Sequence, residues 1–272
     1  MQLATLSPRH HKIQRLRRLV GRRSARDAER AFVVEGAKVL GEALAGKAGV
    51  EAVYVAPHGR DLPVVARARD AGIPVHDLPP GVLERVAGTV TPQPVLAVVR
   101  FVDVPLDTLR HRGDRGEAAP FIVVCVDVRD PGNLGTILRS AEAAGASGLV
   151  CCDGSVDVYN PKTVRASAGS LFHVPVVAGG SAVEILDDMA GWGVRRIATV
   201  AHGGTPLDDV DLRAPVALLL GNEAHGLPAD VEPHVDLGVT IPMAGRSESL
   251  NVGMAAAVLS FEVARQRRAA RP

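Results

Sequence analysis

Phe121-Ile122-Val123-Val124-Cys125-Val126 leads into Arg129-Asp130-Pro131-Gly132-Asn133-Leu134-Gly135, and then into Thr136-Ile137-Leu138-Arg139-Ser140-Ala141-Glu142-Ala143-Ala144-Gly145. The first run is apolar throughout and rich in β-branched residues, which reads as a strand buried on both faces. Gly132 and Gly135 suit a tight turn, and Asn133 suits a helix cap. The spacing beyond predicts a helix with Ile137 and Leu138 toward the sheet and Arg139 on the exposed side. Strand, polar loop and covering helix together form the repeating unit of an α/β sheet.

Two further loops follow apolar runs in the same way. Gly221-Asn222-Glu223-Ala224-His225-Gly226 comes after Val216-Ala217-Leu218-Leu219-Leu220, and Ser247-Glu248-Ser249-Leu250-Asn251 comes after Val239-Thr240-Ile241-Pro242-Met243. Ligands of open α/β sheets sit beyond the carboxyl ends of the strands, so the three loops are expected to wall one pocket. None of them carries Gly-x-Gly-x-x-Gly or a Gly-Lys-Ser/Thr phosphate loop, which sets aside the dinucleotide and nucleoside-triphosphate fingerprints.

The remaining pattern divides the chain. Phe32–Val34, Val50–Val55, Ile73–Val75 and Val95–Val99 read as short strands, separated by helical stretches around Ala37–Leu44, Val64–Ala71 and Val82–Ala87. This is a small α/β sandwich, assigned to residues 1–103. Residues 104–119 contain the polar, aperiodic Arg110-His111-Arg112-Gly113-Asp114-Arg115-Gly116-Glu117 and are expected to form a linker. In residues 120–272, strands at Phe121–Val126, Gly148–Cys152, Val174–Val177, Val194–Val200, Pro215–Leu220 and Gly238–Ile241 alternate with helices, as in a parallel, doubly wound sheet. The last helix, from about Leu250 to Gln266, presents Val252, Ala255, Ala256, Leu259 and Val263 on one side.

The formal net charge of +1 over 272 residues hides an asymmetry. Up to Arg30 the cations are Arg9, Lys12, Arg15, Arg17, Arg18, Arg22, Arg23, Arg26 and Arg30, against Asp27 and Glu29. Such a cluster is the electrostatic footprint expected for nucleic acid, and Ile13, Leu16 and Val20 give the segment the apolar seam of a helix. The bland alternative is a solvated surface helix. Cys125, Cys151 and Cys152 are the only cysteines, which suits buried thiols in a reducing cytoplasm. The basic start lacks the apolar core of a signal peptide, and no apolar run is long enough to span a bilayer; a soluble cytoplasmic protein is expected. The histidines and cysteines show no ligand spacing, so no metal is expected.

Asp130 through Ser140, Leu220 through Leu227 and Ile241 through Val252 resemble motifs 1, 2 and 3 of the SpoU/TrmH family of RNA ribose 2′-O-methyltransferases, within the SPOUT superfamily. Asn160-Pro161-Lys162-Thr163-Val164-Arg165-Ala166-Ser167-Ala168-Gly169 also resembles that family, and the basic first segment resembles its frequent RNA-binding extension. The resemblance implies a C-terminal parallel-sheet domain tied in a trefoil knot behind a small α/β RNA-binding domain. It also implies S-adenosylmethionine as cofactor, no metal, ribosomal RNA as partner, and a homodimer. Transfer RNA modification and antibiotic-resistance methylation of ribosomal RNA are alternatives within the same chemistry; a non-catalytic RNA-binding or assembly factor on the same scaffold is the alternative outside it. A small-molecule α/β enzyme would leave the basic N-terminus unexplained.

By the same resemblance, the cofactor is expected against Val200, Ala201, Leu220, Gly221, Ile241, Pro242, Met243 and Leu250, with Gly221 allowing close backbone approach. Arg139 falls at the family's catalytic position, with Asn133, Glu223, Ser249 and Asn251 around it. Two roles stay open for Arg139: general base toward the ribose hydroxyl, or a cation that binds phosphate and stabilises the attacking oxygen. Arg15, Arg17, Arg22, Arg23 and Arg165 are the expected RNA contacts, Arg165 across a dimer.

Overall fold

The computed structural model describes residues 6–7, 9–87, 91–110 and 119–270; of the linker expected at 104–119, residues 111–118 lie outside these residues, and Asp107–Arg110 form a helix that buries Leu109 rather than an aperiodic stretch. The chain forms two compact units. One comprises residues 1–102 and 159–172, and the other comprises 103–158 and 173–272. The excursion at 159–172 interrupts the continuous second segment expected from the sequence.

The first unit begins with helices α1 (His11–Gly21) and α2 (Arg23–Glu29), followed by strand β1 (Ala31–Glu35), α3 (Ala37–Ala45), β2 (Val50–Val55), α4 (Pro63–Asp70), β3 (Val75–Asp77), α5 (Val82–Val86) and β4 (Val95–Arg100). The strands order β1-β4-β2-β3, with β4 antiparallel to both neighbours and β2 parallel to β3. Ile13, Leu16 and Leu19 of α1 are fully buried against Val33, Tyr54, Leu96 and Val98. Each such side chain contributes roughly 1.5–3 kcal/mol relative to exposure. Val20, expected in the seam, sits at its edge, and Leu19 takes its place. Arg22 is extended and ends α1, so the basic segment is two helices rather than one. Arg26 is buried and donates to the backbone oxygens of Leu19 (2.7 Å) and Val20 (3.3 Å), satisfying carbonyls that α1 leaves open at its end.

The second unit contains α6 (Asp107–Arg110), β5 (Phe121–Cys125), α7 (Pro131–Ala143) and β6 (Gly148–Cys151). The chain then supplies α8 (Pro161–Ala166) to the first unit. It continues with β7 (Val176–Ala178), α9 (Ala182–Gly191), β8 (Arg195–Thr199), β9 (Thr205–Pro206), β10 (Val216–Leu220), β11 (Leu237–Thr240) and α10 (Val252–Ala269). Seven strands pair in the order β7-β6-β5-β10-β8-β11-β9, and every pair is parallel. One face buries Ile122, Val124, Val150 and Leu219 with Ile185, Leu186 and Met189 of α9. On the other, α7 and α10 pack against each other and reach β6 and β10. Ile137 and Leu138 are buried and Arg139 is exposed. Ala255, Ala256, Leu259 and Val263 of α10 are buried.

Sequence order reverses between β5 and β10, which is where such sheets open a crevice for ligands. The strand expected at Gly238–Ile241 runs Leu237–Thr240; Pro242 has no N–H to continue a ladder. The two-residue strand β9 is too short to carry a sequence signature. Because β11 lies between β8 and β9, the connection 200–204 crosses the carboxyl end of β11. Gly204 makes this possible: a Cβ there would stand 2.9 Å from the Thr240 backbone nitrogen.

Candidate active site

Asp130 caps α7, its Oδ1 accepting from the backbone nitrogens of Gly132 (2.7 Å) and Asn133 (2.9 Å), with Pro131 at the first helical position. This corrects two expectations: Asn133 is not the cap, and Gly132 and Gly135 lie inside the helix rather than in a turn before it. Because Asp130 caps the helix, the Asn133 side chain is available for other bonds. Its Nδ2 donates to Glu223 Oε1 at 2.7 Å, and its Oδ1 accepts from Asn251 Nδ2 at 3.0 Å. Asn251 in turn accepts from the Gly253 nitrogen at 2.9 Å and caps α10. The three loops are therefore joined by a chain of bonds, Glu223 to Asn133 to Asn251, in which every donor faces an acceptor.

The loop after β10 is closed on itself. Asn222 and Gly226 exchange backbone hydrogen bonds of 2.8 and 3.0 Å, and Asn222 Oδ1 accepts from the nitrogens of Ala224 (2.9 Å) and His225 (3.2 Å). A Cβ on Gly221 would meet the Gly226 carbonyl carbon at 2.5 Å. The glycine is thus required by its own loop, a reason that stands beside the expected one, close approach of a cofactor.

A cavity of 490 Å³ opens at the carboxyl ends of β8, β10 and β11. Val200, Ala201, Leu220, Gly221, Ile241, Met243 and Leu250 line it, as do Glu223, Ser249 and Asn251. Pro242 lines an adjoining cleft of 330 Å³. Asn133 reaches the wall through its bonds to Glu223 and Asn251. Arg139 stands outside the wall, exposed, with no hydrogen bond or ion pair among the described residues. Six residues along α7 from Asn133, it is displaced by roughly 9 Å of helical rise. Thr199, His202, Asn222 and Thr240 also line the cavity, and sequence reasoning did not single them out. Thr199 Oγ1 is buried with no partner among the described residues. The cavity falls within the range of about 300–1,000 Å³ usual for small-molecule and cofactor sites. An unpaired buried hydroxyl on its wall fits a ligand that brings a polar group. Among the described residues no group of three metal-ligating side chains converges.

The expected RNA contacts all belong to the first unit. Arg22 and Arg23 are exposed, with Arg23 3.6 Å from Asp27. Arg17 is partly buried. Arg15 is bound to Glu29 (2.5 Å) and Glu51 (2.8 Å) and is only 29% exposed. Arg165 lies 3.5 Å from the buried carboxylate of Glu35.

Residues 120–261 match the SpoU rRNA Methylase family. The chain belongs to that family. Residues 10–97 match the MRM3-like substrate binding domain. Among relatives of this SpoU chain, the 23S rRNA (guanosine(2553)-2′-O)-methyltransferase RlmP of Bacillus subtilis is 34% identical over 85% of this chain and 88% of its own. The solved structure of the SpoU methyltransferase AviRb from Streptomyces viridochromogenes, in complex with AdoMet, superposes with a TM-score of 0.85. It is 31% identical and the match covers 97% of this chain and 100% of that one. An AdoMet-bound rRNA methyltransferase from Sinorhizobium meliloti gives 0.81 at 29% identity, covering 99% and 98%.

Proposed function

We propose that this SpoU-family chain transfers the methyl group of S-adenosylmethionine to a ribose 2′-hydroxyl of ribosomal RNA. The observation that carries the reading is the Glu223–Asn133–Asn251 chain, which closes three motif loops on one cavity, with Arg139 further along α7 exposed and, among the described residues, unpaired. When bound, the cofactor supplies an electrophilic methyl group on a sulfonium. Val200, Ala201, Leu220, Gly221, Ile241, Met243 and Leu250 line the space to hold it, and Thr199 offers a hydroxyl. Ser249 and Asn251 have the donors and acceptors to orient an incoming ribose hydroxyl, and Glu223 keeps Asn133 in place.

For Arg139 the exposed position favours the cationic role over the base. Arginine is effectively always protonated in proteins, and nothing buries this side chain. Its guanidinium binds a phosphate next to the target ribose and stabilises charge developing on the attacking oxygen.

Ribosomal RNA as substrate is supported by the name of RlmP, which modifies guanosine, and by that of the Streptomyces viridochromogenes relative, which modifies uridine in 23S rRNA. Arg22 and Arg23 are the exposed cations assigned to the RNA backbone, in a cytoplasm where ribosomes are made. A homodimer covers Met254, Val258 and Phe261, which are 60, 40 and 47% exposed at positions i, i+4 and i+7 of α10. A trefoil knot, with the chain after β11 passing under the connection 200–204, accounts for β11 lying between β8 and β9.

The test is transfer of labelled methyl from S-adenosylmethionine to unmodified ribosomal RNA, followed by digestion to nucleosides. Label in a 2′-O-methylnucleoside is the expected product; label confined to a methylated base overturns the reading.

A further inference from the structure

Glu223 can hold Asn133 only if its own loop is fixed relative to β5 and α7, and one residue outside the cavity provides that fixing. Asp127 follows β5 and sits at φ +57°, a left-handed conformation that aspartate tolerates better than most residues. There its backbone oxygen and its Oδ2 both face Asn222 Nδ2, at 3.0 and 3.1 Å. Asn222 uses its other side-chain atom, Oδ1, to close the turn around Glu223. Asp127 Oδ1 accepts from Arg129 Nε at 2.7 Å, and the Arg129 backbone nitrogen lies 3.5 Å from Glu223 Oε2. The hydrogen bond to Asp127 also raises the pKa of the Arg129 guanidinium.

These contacts form a closed circuit: Asp127 to Asn222, along the backbone to Glu223, to Arg129, and back to Asp127. The loops after β5 and β10 are thereby locked together at the reversal of the sheet, and the Asn133 amide is held at the far side of the circuit. We propose that Asp127 is a positioning residue for the methyl-transfer site. Acting through Asn222, it sets where the Glu223 carboxylate, and hence Asn133, stands. It does not line the cavity, so its removal changes the alignment of the substrate hydroxyl rather than capture of the cofactor. The inference rests on the transferase reading, but its geometry can be read independently of activity.

The experiment compares the full-length wild type, Asp127→Ala and Asp127→Asn. Three readouts are taken: single-turnover methyl transfer to ribosomal RNA, S-adenosylmethionine affinity by calorimetry, and the Asn133 side-chain amide signal in a ¹⁵N-correlated NMR spectrum. Asp127→Ala is expected to slow transfer about tenfold or more, as displaced supporting groups do. Cofactor affinity should stay within about twofold, and the Asn133 signal should move toward that of a solvent-exposed amide. Asp127→Asn keeps a side-chain oxygen for the Asn222 amide and should lose less of the rate and of the Asn133 shift. Full transfer rate with an unmoved Asn133 signal in Asp127→Ala overturns the proposal. If that variant does not fold, Asp127→Gly removes the same side chain at a position whose φ of +57° suits glycine, and it is judged by the same outcomes. Failure of the wild type to methylate RNA would count against the transferase reading, while the Asn133 signal would still decide the positioning role.

Discussion

Asn133 and Asn251, 118 residues apart, share a hydrogen bond of 3.0 Å in which Asn251 donates. Because Asn133 also donates to Glu223, this single contact joins the N-terminal turn of α7, the loop after β10 and the cap of α10.

The two asparagines should therefore act as a unit. Asn133→Ala and Asn251→Ala are each expected to lower methyl transfer, and the double variant should lose little more than the worse single one, as coupled residues do. Asn251→Ala also removes a helix cap and should cost about 1 kcal/mol of stability; Asn251→Ser keeps much of the cap and isolates the catalytic loss. Additive losses in the double-mutant cycle would show that the bond carries no shared function.

RNA capture should depend on exposed cations and not on paired ones. Replacing Arg22 and Arg23 with alanine is expected to weaken RNA binding and flatten its dependence on salt, since fewer counterions are released. Arg15→Ala should instead lower the thermal midpoint, because it removes the cation held between Glu29 and Glu51 and leaves them the longer contacts to Arg18 and Arg100. A salt series by fluorescence anisotropy with a melting curve for each variant separates the two. Equal slopes for wild type and the Arg22/Arg23 variant would remove these residues from the RNA surface.

The buried thiols give a pH dependence with a definite sign. Burial pushes Cys152 up to about 12 and Cys125 well up, from an ordinary value near 9. Above about 9 the unfolded chain loses thiol protons that the folded chain keeps, so stability falls as pH rises through the window from about 9 to 12. Urea midpoints should drop from about pH 8 to about pH 10, and less steeply in Cys152→Ala. An equal drop in that variant would show that the thiol is not responsible.

Much of the second unit was legible because apolar, β-branched runs of strand length are hard to read otherwise. β5, β10 and the helix bearing Arg139 are examples, and the resemblance of their loops brought the cavity residues with them. What stayed hidden depended on long-range contacts. Whether Asp130 or Asn133 caps α7 depends on which side chain finds a partner elsewhere, and Asn133 finds Glu223 90 residues away. Gly221 read only as a cofactor contact because the backbone of Gly226 and Leu227 that also crowds it is not visible in a local pattern. In the basic segment, composition counted Arg15 and Arg26 with the rest. Only the fold shows that one is bound between two carboxylates and the other caps α1. The excursion at 159–172 has no compositional mark at all.

The central claim is that the linked loops capture the cofactor while Arg139, outside the cavity, serves the transfer step. It is tested most directly by measuring Arg139→Ala twice: S-adenosylmethionine affinity, and single-turnover transfer to ribosomal RNA at saturating cofactor. Affinity is expected within about twofold of wild type, and transfer slowed by about a hundredfold or more, the scale of losing a group that stabilises charge in the transition state. Transfer at the wild-type rate, or a loss explained entirely by weaker cofactor binding, would contradict it.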